Sequence, residues 1–126
     1  MTNLLLDTNV FLWFFWGSNK IDTVKELIVS DATDVFISSV SWWEIAMKIR
    51  AGKLEVDLDE LRFSAEKYAF EELPVNSTYM KAYTELPALH KDPFDHILLA
   101  QAISSPMRLI TGDSFLRNYS SLVMAI

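Results

Sequence analysis

The stretch "HKDPFDHILLAQA", residues 90–102, is an apolar helical segment that opens with two carboxylates, Asp92 and Asp95. Asp92 has the position of a helix N-cap, with Pro93 as the first helical residue. An acid in the first turn, such as Asp95, is favoured by the helix dipole. The alternative is that Asp95 holds a metal ion. The stretch by itself does not decide between these interpretations, so the other acids of the chain have to be located.

The bulk composition predicts one folded domain over residues 1–126. Half of the chain is hydrophobic (51%) and 13% is aromatic, which excludes a disordered segment. The absence of cysteine excludes disulfides and thiolate-bound zinc. The start "MTNLLLD" lacks the basic region of a signal peptide, and the longest apolar run is too short to span a bilayer. We therefore expect a cytoplasmic protein with no membrane association.

The net charge of −6 argues mildly against a nucleic-acid-binding protein, since such proteins are usually basic. Acids gathered around a cation would be neutralised locally, however. The charge of the whole chain therefore says little about the charge of one groove.

Apolar runs and helix breakers alternate along the chain and predict alternating strands and helices. The predicted strands are residues 4–6, 35–39, 108–111 and 122–126, with a weaker one at 72–75. The predicted helices are residues 8–16, about 19–30, 41–51, 57–69, 77–85 and 93–105. This order favours an α/β fold with a mostly parallel central sheet and helices on both faces. In such sheets, ligands bind beyond the carboxyl ends of the strands.

Four acids fall at that predicted edge. Asp7 ends the first strand, Glu44 lies in the first turn after the second, and Asp113 follows the strand "RLIT". Asp95 joins them if its helix starts at the same edge. Each acid also has a purely structural interpretation. Residues 41–44 fit the capping box S-x-x-E, the pair Glu44 and Lys48 suits a helix surface, and Asp7 and Asp113 can cap the helices that follow them.

Taken together, the four carboxylates indicate more than capping. Acids at one edge repel each other and raise one another's pKa values, and a divalent cation removes that cost. Mg²⁺ and Mn²⁺ prefer oxygen ligands, and such ions activate water for attack on a phosphodiester. Asn9, Thr111 and Asp92 are candidates for hydrogen bonds around the ligands. The pattern therefore favours metal-dependent phosphoryl chemistry.

The sequence also resembles the PIN-domain ribonucleases and, among them, the VapC-type toxins of bacterial toxin–antitoxin pairs. The resemblance rests on four segments in family order that together span nearly the whole chain. These segments are "LLLDTNVFLW", "SSVSWWEIAMKIRAGKL", "HKDPFDHILLAQA" and "ITGDSFLRNY". The resemblance implies a three-layer α/β/α sandwich and Mg²⁺- or Mn²⁺-dependent endoribonuclease activity. The family's catalytic and metal-binding acids match Asp7, Glu44, Asp95 and Asp113, with Asp7 and Asp95 as the main direct ligands.

At one position the chain departs from the family, which commonly has an arginine after the third acid where this chain has His96. A phosphate contact is one role for it. We expect neither His90 nor His96 in the metal site. Lys48, Arg50 and Lys53 form a small basic cluster that either steers RNA phosphates or is a solvated helix face.

The resemblance further implies a cognate antitoxin that fills a hydrophobic groove, and a homodimer. The segment 11–16 is apolar all round, which is more than one core layer can bury. We expect Trp13 or Trp16 to line the antitoxin groove, with Trp43 as a further candidate, whereas Trp42 fits the buried stripe of its helix.

Three other functions remain open at this stage. A receiver-like phospho-acceptor module has a similar length and an acidic Mg²⁺ pocket, but here Thr8 follows Asp7 and no lysine follows Lys91. A phosphatase with a D-x-D nucleophile would need an acid where "DTN" has asparagine. A non-catalytic PIN-fold binding domain would keep the fold without the chemistry.

Overall fold

The computed structural model describes residues 2–88 and 92–126 and contains five strands and six α-helices over these ranges. The strands are β1 (Thr2–Leu6), β2 (Thr33–Ser38), β3 (Glu71–Leu73), β4 (Arg108–Thr111) and β5 (Val123–Ala125). The helices are α1 (Thr8–Phe15), α2 (Lys25–Val29), α3 (Ser39–Arg50), α4 (Leu58–Lys67), α5 (Met80–Glu85) and α6 (Pro93–Ser104). Short 3₁₀ turns lie at Asn19–Ile21, Ser77–Tyr79 and Ser114–Asn118.

The strands form one parallel sheet in the order β3-β2-β1-β4-β5. Because every pairing is parallel, all carboxyl ends lie along one edge. The crossover helices return antiparallel to the strands, so α6 starts at this same edge before it leads into β4. The predicted α/β/α sandwich with a parallel sheet is confirmed.

The hydrophobic core lies on both faces of the sheet, because successive side chains of a strand such as β1 point to opposite faces. Leu4 and Leu6 pack into one cluster with residues of α1, α3 and α4, such as Phe11. Leu5, between them, packs into a second cluster with residues of α6, such as Leu99. All three leucines are fully buried, so β1 is the central strand that carries Asp7 to the edge of the sheet.

Most predicted elements are present, but one helix differs. The continuous helix predicted from about residue 19 to residue 30 is instead a 3₁₀ turn followed by the short α2. The break falls at Val24, whose φ of −121° is not helical. Val24 is buried, so packing of this β-branched side chain outweighs the local helical pattern. The helix predicted over 77–85 likewise begins with a 3₁₀ turn.

The predicted cap of α3 is also wrong. Ser38 is the N-cap and its hydroxyl accepts a hydrogen bond from the Val40 amide at 3.2 Å, so the helix starts earlier than expected. Ser41 lies inside the helix, fully buried, and its hydroxyl accepts a hydrogen bond from Thr8 Oγ1 at 3.0 Å. This bond ties the first turn of α1 to the turn of α3 that carries Glu44.

None of the helices in the described part of the chain is both long enough and apolar enough to cross a membrane.

Candidate functional site: an acidic cleft

A cleft of about 880 Å³ opens at the carboxyl edge of the sheet. We call it the acidic cleft, because five of the residues that line it are carboxylates. Its lining consists of Asp7, Thr8, Asn9, Trp13, Glu44, Asp92, Asp95, Gly112, Asp113 and Phe115. The structure therefore brings together all four acids predicted from the sequence, with Asp92 as a fifth. Asn9, predicted to form hydrogen bonds around the ligands, also lines the cleft.

Asp7 is the most buried of these acids, with 6% of its surface exposed. It is the N-cap of α1, since its Oδ1 accepts a hydrogen bond from the Val10 amide at 2.8 Å. Burial raises the pKa of its carboxyl group. Hydrogen bonds from Thr111, Val10 and the Gly112 backbone oppose this effect, while the charge of Glu44 adds to it. The Asp7 side chain thus caps α1 and also lines the acidic cleft, so the two interpretations of this residue do not exclude each other.

Thr111 connects two of the acids. Its hydroxyl donates to Asp7 Oδ2 at 2.6 Å and accepts from the Asp113 amide at 3.1 Å. Thr111 is fully buried, so water does not replace either bond. The position of the Asp113 backbone is consequently linked to the orientation of the Asp7 carboxylate.

The remaining acids also have hydrogen-bond or ionic partners. Asp113 caps the 3₁₀ turn that follows it, accepting from the Phe115 amide at 3.0 Å. Asp92 caps α6, accepting from the Phe94 amide at 2.9 Å. Asp95 lies in the first turn of α6. All three side chains line the acidic cleft as well as belonging to the first turn or the cap of a helical segment.

Glu44 forms an ion pair with Lys48, with 3.0 Å between Oε2 and Nζ. This confirms the predicted i,i+4 pair of α3. The Glu44 side chain is 15% exposed and that of Lys48 is 43% exposed, so the contact stabilises the helix only weakly. The ion pair places the Lys48 ammonium next to Glu44, which lines the cleft. The other two members of the predicted basic cluster, Arg50 and Lys53, are exposed.

The chemistry of the cleft fits a hard divalent cation. Among the described residues that line it, the charged groups are all carboxylates, which are the ligands that Mg²⁺ and Mn²⁺ prefer. Within residues 2–88 and 92–126, no lysine or arginine forms an ion pair with Asp7. Over the same ranges, no three acidic or histidine side chains already lie close enough to form a metal cluster. Carboxylate oxygens suit Mg²⁺ in particular, an ion that usually keeps several of its waters.

His96 points to a cluster of tyrosines. Its Nε2 lies 3.2 Å from the Tyr119 hydroxyl, and its ring meets the rings of Tyr83 and Tyr119 edge to face. Among the described residues that line the cleft, His96 is not present. His90 lies outside the described residues.

The three tryptophans predicted to line a partner groove lie in different places. Trp13 is partly buried and lines the acidic cleft. Trp16 is 51% exposed at the end of α1. Trp43 is 60% exposed on α3, where it meets Phe94 edge to face. Trp42 packs edge to face on the buried Phe11, as predicted for a residue of the core.

Sequence reasoning missed the walls of the cleft. Trp13 and Phe115 line it, and Gly112 brings the backbone of the turn after β4 close to the ring of Trp13. The glycine in "TGD" lies between two predicted site residues, which is the one signal that could have drawn attention to it. Its packing partner lies about 100 residues away and has no local signature.

Comparison with known proteins agrees with this architecture. The PIN domain family model matches residues 4–122. Ribonuclease VapC22 of Mycobacterium tuberculosis is 26% identical over 122 residues, which cover 94% of this chain and 93% of that protein.

Solved structures of low sequence identity share the fold. One belongs to the VapBC2 complex of Rickettsia felis bound to a DNA fragment of its promoter, with a TM-score of 0.74 and 14% identity over 99% of this chain and 98% of that chain. A DNA-bound VapBC of Salmonella typhimurium gives a TM-score of 0.70 with 17% identity over 100% and 98%. A toxin–antitoxin complex from Klebsiella pneumoniae gives 0.68 with 20% identity over 97% and 96%.

The raised pKa of Asp7 predicts how stability depends on pH. A carboxyl group whose pKa is higher in the folded state stabilises the fold when protonated. That contribution is complete below the unfolded pKa of about 3.9 and is lost as pH rises through the folded pKa. Asp7→Asn should therefore raise the free energy of unfolding at pH 7 without added metal and leave it nearly unchanged at acid pH.

Urea unfolding of the wild type and of Asp7→Asn from pH 4 to pH 8, with chelator present, measures this difference. Asp31→Asn serves as the control, because Asp31 is exposed at the opposite edge of the sheet. Loss of stability in Asp7→Asn at neutral pH would contradict the assignment of a desolvated, destabilising charge.

Proposed function

Because this chain belongs to the PIN domain family, we propose that it is a Mg²⁺- or Mn²⁺-dependent endoribonuclease that acts as the toxin of a toxin–antitoxin pair. It hydrolyses RNA phosphodiester bonds in the acidic cleft, with activated water as the nucleophile, and it acts in the cytoplasm. The observation that carries this proposal is the meeting of Asp7, Glu44, Asp95 and Asp113 in one cleft. The name of the relative in Mycobacterium tuberculosis, a ribonuclease, agrees with it.

Asp7 and Asp95 are the main direct metal ligands of the proposed site, and Glu44 and Asp113 contribute partly through water. When bound, the ion lowers the pKa of a water molecule and offsets negative charge on the scissile phosphate. The protein supplies fixed acceptors for it. The burial that raises the Asp7 pKa also strengthens the attraction of that carboxylate for a cation, because few waters compete.

The hydrogen bonds of the site pre-organise the carboxylates. Thr111 and the Val10 amide hold both oxygens of Asp7, so little rotational freedom is lost on binding. The contact between Thr8 and Ser41 fixes α1 against α3 and thereby the distance between Asp7 and Glu44. Such preorganisation favours both metal affinity and the alignment of the phosphate.

The proposed protein partner is a cognate antitoxin, as in the similar VapBC structures. The chain carries a suitable surface, an apolar groove of about 520 Å³ between α1 and α4 that we call the α1–α4 groove. Its lining is Phe14, Phe15, Asp59, Glu60, Phe63, Ser64, Lys67 and Tyr68. Phe63 and Tyr68 are 69% and 44% exposed, which is unusual for aromatic side chains without a partner. Exposed Trp16 at the end of α1 extends the apolar surface of this helix.

We expect the toxin to form a homodimer, with Trp43 on α3 as a candidate contact. Sedimentation of the isolated chain measures this state directly.

The first test of the proposal removes a single metal ligand. Asp7→Asn and Asp95→Asn should each abolish cleavage of a single-stranded RNA oligonucleotide, because each removes a charge from the proposed metal site. The wild type should cut in Mg²⁺ or Mn²⁺ and lose activity in chelator. Circular dichroism of the variants should match that of the wild type.

Asp31→Asn again provides the matched control and should retain cleavage. Undiminished cleavage by either cleft variant would refute the assignment of the ligands. A wild-type chain that cuts no RNA under any metal condition would favour the non-catalytic binding domain, and stable phosphorylation by a small phosphodonor would favour the receiver-like module.

A second test addresses the hydroxyl that joins two acids. Thr111→Val keeps the shape of the side chain but removes both the donor to Asp7 and the acceptor for the Asp113 amide. We expect a loss of about 10- to 100-fold in Mn²⁺ affinity and in cleavage rate. Thr111→Ser keeps the hydroxyl and should stay within about threefold of the wild type. Equal effects of the two substitutions would exclude an orienting role for the hydroxyl.

A third test concerns the antitoxin surface. Phe63→Asp should weaken complex formation with the product of an adjacent reading frame by about 100-fold or more, because it buries a charge in the α1–α4 groove. Ile103→Asp is the matched control, since Ile103 is 38% exposed on α6. Titration calorimetry of the two variants gives the affinities. Unchanged binding by Phe63→Asp would place the antitoxin elsewhere.

A further inference from the structure

The turn that follows β4 touches a side chain of α1 in an unusually close contact. A Cβ atom added to Gly112 would lie 2.5 Å from Cη2 of Trp13 and 3.0 Å from its Cζ3. Gly112 does not have a positive φ, unlike Gly17 and Gly52. The φ of this residue therefore does not require glycine, and the steric demand for glycine comes from the indole ring.

The ring of Trp13 is in contact with two other parts of the protein. It packs against the main core cluster, and the Lys20 ammonium lies 4.8 Å from the ring centroid. A tryptophan side chain is rigid beyond two torsions, so the tip of the ring acts as a fixed wall. The turn at residues 111–113 is pressed against this wall on the side of the cleft.

The turn at residues 111–113 also forms hydrogen bonds with Asp7, the most buried acid of the cleft. The Thr111 hydroxyl and the Gly112 backbone both donate hydrogen bonds to the Asp7 carboxylate, and the Asp113 amide donates to Thr111. Displacement of the turn by even a few tenths of an ångström would therefore shift Asp7 and Asp113 together. Because Trp13 lies on α1, the helix that Asp7 caps, the wall and the ligand belong to one rigid element.

From these contacts we propose that Trp13 is a positioning residue of the site. The tip of its indole ring sets the place of the Thr111–Asp113 turn, and that turn sets the carboxylates of Asp7 and Asp113. This inference rests on the proposed function for its effect on metal and RNA. Its steric part, the dependence of the turn on the indole ring, is independent of any activity.

The test is a double-mutant cycle between the two contacting residues. Gly112→Ala should lower Mn²⁺ affinity and kcat by about 10-fold or more while KM for an RNA oligonucleotide changes little, because orientation rather than substrate contact is lost. Trp13→Phe removes the outer ring atoms and makes space. In that background, Gly112→Ala should cost less than about threefold. This coupling between the substitutions is the expected signature of the contact.

Trp42→Phe is the matched background for comparison. Trp42 is also a partly buried tryptophan that packs on the core, but it contacts Phe11 and is not in the lining of the cleft. In that background, Gly112→Ala should retain its full effect. A cost of Gly112→Ala that is equal in the wild type and in the Trp13→Phe background would overturn the proposal.

Two readouts separate this proposal from the proposed function. Hydrogen exchange of the amides at positions 112 and 113 and the free energy of unfolding are measured on the same variants without metal or RNA. Coupling in amide protection would support the positioning role even if the wild type neither bound Mn²⁺ nor cut RNA. The opposite result is coupling that is seen only in the free energy of unfolding, with no coupling in the amide protection at positions 112 and 113 or in Mn²⁺ affinity. It would mean that Trp13 contributes only to packing, and it would refute the proposal.

Discussion

The carboxylate of Asp7, buried at the end of the central strand, is the constraint around which this structure is arranged. Burial of a charged group is costly unless hydrogen bonds or an opposite charge offset it. Here the Val10 amide, the Thr111 hydroxyl and the Gly112 backbone supply the hydrogen bonds. They come from α1 and from the turn after β4, so the needs of a single side chain join elements about 100 residues apart. Burial still outweighs these bonds in its effect on the Asp7 carboxyl, whose pKa is raised.

Helix capping and the proposed chemistry use the same side chains in this fold. Asp7, Asp92 and Asp113 each accept a hydrogen bond from a backbone amide of the helical turn that follows them. In a parallel sheet, the carboxyl ends of strands and the starts of the next helices lie along one edge. An acid that caps a helix here also faces the cleft. The two interpretations that the sequence left as alternatives are therefore compatible, because capping occupies only part of the acceptor capacity of a carboxylate.

The aromatic residues of α1 divide between three environments according to the side of the helix on which they lie. Phe11 is fully buried in the core, Trp13 forms a wall of the acidic cleft, and Phe15 lines the α1–α4 groove. A helix that is apolar all round thus serves the core, the proposed site and a proposed partner surface at once.

The sequence by itself determined the class of fold, the order of most strands and helices, the caps at Asp7, Asp92 and Asp113, and the acids that would meet. These features follow from local periodicity and from the rule that parallel strands share an edge, so they are encoded in short segments. Four features became known only from the tertiary structure. They are the break at Val24 in a helix that was predicted to be continuous, the cap at Ser38, the orientation of His96 towards Tyr119 and the contact of Trp13 with Gly112. The cap at Ser38 is local, but its choice over Ser41 goes with the burial of Ser41 against Thr8. The other three features depend on which atoms of distant segments compete for one volume, and such packing has no periodicity for a sequence to display.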